Sequence, residues 1–115
     1  MTEDEVETLQ EELCKKYDAG FSKPNVEKTA GIADNLASTV TPIHGLRHPT
    51  TGWFIWAGEY SEAADFFKPM HLGHVLKAYP HLVPYLGLAP GWRFLIDPAT
   101  GYEDIWRDTS LLIDD

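Results

Sequence analysis

Several groups of residues in this chain carry side chains capable of chemistry. HLGH places His71 and His74 three apart on an expected helix, close enough to share a face, with Glu59 or His81 as a third metal ligand. Such a set would make a small metal-dependent hydrolase built on His71, His74 and Glu59. The motif departs from the zinc-hydrolase helix, in which the histidines stand four apart with a glutamate beside the first, because position 72 is Leu. Packing and hydrogen bonding at a helix start account for both histidines more simply. No metal and no other cofactor is expected.

A carboxylate pair, Glu59 with Glu103 or Asp104, could divide the work of general acid and general base if one were raised in pKa and the other stayed ionised. Carboxylates beside tryptophans serve as readily to solubilise strand ends. Cys14 lies beside the apolar stripe of the first helix without a neighbouring base, which suits a small buried hydrophobe better than a nucleophile. Neither a phosphate-binding glycine loop nor a dinucleotide fingerprint occurs. No catalytic residue is therefore assigned.

The remaining concentration is aromatic. Trp53, Trp56, Tyr60, Trp92, Tyr102 and Trp106 crowd into two short regions with Glu59, Arg93, Glu103 and Asp104. Trp, Tyr and Arg are the residue types that dominate protein interfaces. Strand alternation puts Trp53, Ile55 and Ala57 on one side and Phe54 and Trp56 on the other, and sets Trp92 and Phe94 against Arg93 and Leu95. One side must be core, so no more than half of these rings are expected to be open to a partner. The expected contact set is Trp56, Glu59, Tyr60, Arg93, Tyr102, Glu103, Asp104 and Trp106.

The elements that must position these residues are short. Thr2 stands three residues before Glu5, the spacing of a capping box, and Val6, Leu9, Leu13 and Tyr17 then mark one face of an N-terminal amphipathic helix that Gly20 ends. A second helix is expected over Val26 to Ala37 despite Gly31, and IHGLRH between Pro42 and Pro49 reads as an edge strand. GWFIWAG is a buried strand reached through the TTG turn, and EYSEAADFFKP has no clear period before Pro69 ends it. Leu72, Val75, Leu76 and Tyr79 predict a helix that Pro80 closes, while GWRFLID, PATG and YEDIWRD predict a strand, a turn and a strand. The sum is an α+β domain: a small antiparallel or mixed sheet of about four strands covered by helices.

Composition narrows the function classes. The chain has 115 residues, enough for one core and one domain, and its 43% hydrophobic content is that of a folded protein. A lone Cys14, no leader-like start and no apolar run of about 20 residues point to a cytoplasmic protein that does not enter a membrane. Net charge is −9, with seven acids against two lysines over residues 1–20 and six against one arginine over residues 97–115. That balance disfavours nucleic acid as a partner and favours a basic protein.

PIHGLRHPTTGWFIWAGEYS, DFFKPMHLGHVLKAYP, LAPGWRFLID and GYEDIWRDTSLL, together spanning residues 42–112, resemble the immunity protein 33 type family of small bacterial proteins. GWFIWAGE, GWRFL and YEDIW are the most specific pieces, and Gly52, Trp53, Gly58, Glu59, Gly91, Trp92, Arg93, Phe94, Tyr102, Glu103, Asp104 and Trp106 fall on the family's motifs. The resemblance implies a non-enzymatic cytoplasmic protein that binds and neutralises a cognate toxin domain. It leaves residues 1–41 as an N-terminal helical extension, and it leaves oligomeric state open. A general protein-binding regulatory module is the remaining reading.

Overall fold

In the computed structural model, residues 1–37 and 40–112 are described. Helix α1 (Glu3–Lys16) starts on the expected capping box: the Thr2 hydroxyl accepts from the Glu5 amide at 3.1 Å, and the Glu5 carboxylate accepts from the Thr2 amide at 3.4 Å. Glu3, Asp4 and Glu5 occupy its first turn and Lys15 and Lys16 its last, which suits the helix dipole at both ends. Its inward face is centred on Gln10, Leu13 and Cys14. The buried Gln10 amide is satisfied by the Val83 carbonyl at 3.1 Å.

The sheet has six strands rather than about four: β1 (Thr29–Ala33), β2 (Ile43–His48), β3 (Gly52–Ala57), β4 (Phe67–His71), β5 (Trp92–Asp97) and β6 (Tyr102–Arg107), in spatial order β4-β1-β3-β2-β5-β6. β1 runs parallel to β3 and every other pairing is antiparallel, so the sheet is mixed.

Three local expectations fail for identifiable reasons. Val26–Ala37 is not a helix but β1 followed by a short 3-10 turn, Asp34–Ala37. Ala30 and Ile32 alternate inward there, and a Cβ at Gly31 would sit 2.6 Å from the Phe54 ring, so the glycine lets β3 pack close. IHGLRH is not an edge strand: β2 lies between β3 and β5, because Pro42 and Pro49 flank it and leave its backbone donors free on both sides. Gly45 in β2 makes room for Phe94, whose ring would lie 2.1 Å from an added Cβ. Pro69, expected as a terminator, stands within β4, which is an edge strand where a missing N–H is tolerated.

The sheet's two faces differ in what covers them. Ile32, Trp53, Ile55, Ile43, Phe94 and Ile96 point to one side and join Leu13 and Cys14 of α1 in a single core. Helix α2 (Leu72–Ala78) adds Leu72 and Val75, and the 3-10 segment Pro80–Gly87 adds Leu82 and Leu86. The Trp53 indole N–H donates to the Leu86 carbonyl at 3.1 Å, tying that segment to β3. Both helices and the Pro80–Gly87 segment lie on this side. No helix among the described residues is long and apolar enough to cross a membrane.

Candidate functional site

Strand register assembles the other face directly. One row of cross-strand neighbours runs Trp56, His44, Leu95, Asp104, and the next runs Phe54, Leu46, Arg93, Trp106. Tyr102 faces the same way, opposite Asp97. Five of the eight residues expected at a partner surface, Trp56, Arg93, Tyr102, Asp104 and Trp106, therefore share one side of the sheet although they come from three strands. His44, Leu46, Phe54 and Leu95 were not singled out by residue type. His44 and Leu46 join because β2 is central, with alternation against Ile43 and Gly45 as the signal that finds them, and Phe54 and Leu95 follow from alternation with Trp56 and Arg93.

At the β3 end of this face the rings form a cluster. Trp56 is only 5% exposed: His44 stacks on it at 4.9 Å between centroids and 7° between planes, and Tyr60 meets it edge-on at 5.5 Å. Phe66 and Phe67 complete the cluster against Tyr60. Tyr60, at 58%, is the exposed member. Burial and then the Arg93 charge hold the His44 imidazole below the usual histidine range, against a weaker opposing hydrogen bond at the Gly58 backbone. At neutral pH it is thus an uncharged ring.

Toward β6 the face becomes amphipathic. Arg93 lies over the Trp106 ring at 5.6 Å and pairs with Asp108 at 3.1 Å, so its charge is neutralised locally, while its buried Nε has no hydrogen-bond partner among the described residues. Hydrogen bonds from Ser110 and then from Arg93 hold the Asp108 carboxyl below its ordinary range. Tyr102 is 55% exposed. Asp104 on β6 is exposed on this face, and Glu59, Glu62 and Asp65 are exposed in the loop after β3 that carries Tyr60. Lys68 on β4 is already paired with Asp34 at 3.0 Å.

Glu103 behaves differently from its neighbour. Its register partner is Ile96, which is buried in the core, so its side chain turns to the helix-covered side. There it accepts hydrogen bonds from the Tyr17 and Tyr85 hydroxyls and an ion pair from Lys16 at 3.2 Å. Burial alone would raise the carboxyl, but these bonds and the Lys16 charge outweigh it and hold the group below its ordinary range. Tyr85 is pushed far up, first by burial and then by its bond to the carboxylate. One carboxylate thereby joins α1, the Pro80–Gly87 segment and β6.

The chemistry-bearing alternatives do not assemble. Of the two carboxylates weighed as partners for Glu59, Glu103 turns to the helix-covered side and is held by Tyr17, Tyr85 and Lys16, while Asp104 lies on the open face. Among the described residues no three His, Cys, Asp or Glu side chains gather to hold a metal ion, and His71, His74 and Glu59 each stand exposed without forming a ligand set. Cys14 is 2% exposed in the core, and burial raises its thiol pKa. Of the six rings weighed as partner contacts, Trp53 and Trp56 are buried and Trp92 packs against the core, which leaves Tyr60, Tyr102 and Trp106 accessible.

The family model of the Imm33-like domain matches residues 9–108, from the middle of α1 to the end of the β5–β6 hairpin. The chain belongs to the Imm33-like domain family. The match reaches well before residue 42, which agrees with β1 being an interior strand of the sheet. No curated protein and no solved structure matches this Imm33-like chain.

Proposed function

We propose that this Imm33-like domain is a non-enzymatic immunity protein that binds and neutralises a cognate bacterial toxin in the cytoplasm, using the open face of its sheet. The observation that carries the reading is the convergence on that face of accessible aromatic anchors and exposed carboxylates. Tyr60, Tyr102 and Trp106 offer large rigid contact area, and Trp56, stacked on His44, backs Tyr60. Arg93 supplies a planar donor beside Trp106. Glu103 acts as a positioning residue, fixing β6 through Tyr17 and Tyr85 rather than touching the partner.

The occupant this face suits is a basic, partly apolar surface of the toxin domain. Asp104, Glu59, Glu62 and Asp65 give that side a negative balance, and Arg93, the only strand cation on the face among the described residues, is neutralised by Asp108. Such a balance accelerates encounter with a positive partner and makes the rate fall as salt rises. Co-expression with the toxin encoded beside this gene tests the reading. Rescue of growth and recovery of a one-to-one complex are expected; toxicity unchanged by the immunity protein, with no complex, would sink it.

A further inference from the structure

A cavity of about 230 Å³ opens at the end of the sheet where the β2–β3 turn meets the loop between α1 and β1. Among the described residues its lining holds Lys23, Lys28, Arg47 and His48 and no carboxylate. That segregation is unexpected in a chain with 18 Asp and Glu against nine Lys and Arg. Random placement would set acids over cations about two to one in such a lining.

Arg47 is the central anomaly. Its Nη1 donates to the carbonyls of Ser22 and Leu88, each at 2.8 Å, and its guanidinium lies over the Trp53 ring at 5.9 Å. Those contacts fix its orientation but are electrically neutral. Burial lowers its pKa, yet an arginine so placed stays charged. Neither Arg47 nor Lys28 is in an ion pair among the described residues, and Lys23 has only long contacts, 3.7 Å to Glu3 and 3.8 Å to Glu7. A half-buried guanidinium without a counter-anion is a costly arrangement that a bound anion would relieve.

The neutral donors agree with the cations. His48 Nδ1 accepts from the Thr50 amide at 3.2 Å, so the ring proton sits on Nε2. Thr50, Thr51 and Asn25 add hydroxyl and amide groups to the wall. Donors drawn from the α1–β1 loop and the β2–β3 turn match a tetrahedral oxyanion, which presents several acceptor oxygens, better than a flat carboxylate, which presents two. The volume lies below the roughly 300 Å³ at which drug-sized ligands begin to fit.

We propose that this cavity binds a small phosphate-type oxyanion, either inorganic phosphate or the phosphate of a small monoester, clamped between Arg47 and the two lysines. The proposal is independent of toxin binding.

The test is an amide NMR titration of the whole chain at constant ionic strength, with inorganic phosphate in one arm and glycerol 3-phosphate in the other. Saturable shifts at Lys28, Thr50, Thr51 and Gly52 are expected in at least one arm, and the tighter arm tells free ion from monoester. The double variant Lys23→Ala, Lys28→Ala removes two exposed side chains and should keep the native spectrum while weakening binding at least 10-fold. Shifts that never saturate in either arm, or that saturate equally in the double variant, would overturn the site.

Discussion

The two faces of the sheet use the same residue types to opposite ends. On the helix-covered face Trp53 and Phe94 are 2% and 1% exposed, and Tyr17 and Tyr85 spend their hydroxyls on Glu103. On the open face Tyr60 and Tyr102 are more than half exposed, and Trp106 shares its surface with Arg93. Neighbouring residues divide the same way: Glu103 is a fastener and Asp104 a free charge, one position apart on β6. Aromatic content alone therefore says nothing about function. The register that assigns each ring to a face does.

Substitutions should separate the faces cleanly. The largest effect belongs to Phe94→Ala, which empties the centre of the core and leaves the close approach at Gly45 unfilled. It should cost about 3–5 kcal/mol in urea unfolding, enough to threaten folding of a domain this size. Next, Glu103→Gln removes the charge from three hydrogen-bonding partners and should cost about 2–3 kcal/mol, with toxin affinity unchanged once the folded fraction is accounted for. An equal loss of affinity in that variant would place Glu103 at the interface after all.

The same carboxylate sets a pH signature. Its folded pKa lies below the reference value of 4.5, so its stabilisation is complete above about pH 4.5 and is lost as pH falls through the lower folded value. Stability of Glu103→Gln should accordingly lose less between pH 5 and pH 3 than that of the parent chain, in the same unfolding measurement.

Open-face substitutions should do the reverse. Trp106→Ala should change stability by no more than about 1 kcal/mol yet weaken toxin binding by about 2 kcal/mol, roughly 30-fold, in calorimetric titration. The smallest effect is expected from Asp104→Asn combined with Asp65→Asn. These exposed charges should leave stability within about 0.5 kcal/mol and slow association a few-fold, with a flatter salt dependence in stopped-flow measurements.

How far the sequence disclosed this arrangement can be traced to particular residues. The Thr2–Glu5 box, the Gly-Trp strands β3 and β5 and the β5–β6 hairpin are written in local chemistry, and each forms as expected. β1 is not, because its partner β3 is distant in sequence and parallel pairing leaves no turn signal between them. The inclusion of Pro69 in β4 depends on β4 pairing with β1 at the sheet's edge, since only an edge position makes a strand proline acceptable. Of the residues proposed for partner contact, five share a face, and alternation along β3, β5 and β6 puts them there. Glu103 was misplaced for a reason of phase: alternation from Tyr102 turns it inward, and only the tyrosines brought by α1 and the Pro80–Gly87 segment give it a role there. The cavity beside Arg47 was invisible, because its cations come from the α1–β1 loop and β2, which only the fold brings together.

The central proposal is that a toxin is held on the open face, and the alternative surface is specific. A groove of about 650 Å³ between α1 and α2, lined by Val6, Val26, Leu76 and Val83 among others, is the competing apolar site on the opposite side. Hydroxyl-radical footprinting of this chain with the toxin proposed as its partner decides between them. The account predicts that Tyr60, Tyr102 and Trp106 lose reactivity while Met1, Val26 and Leu76 keep theirs; protection of the second group with the first unchanged would contradict it.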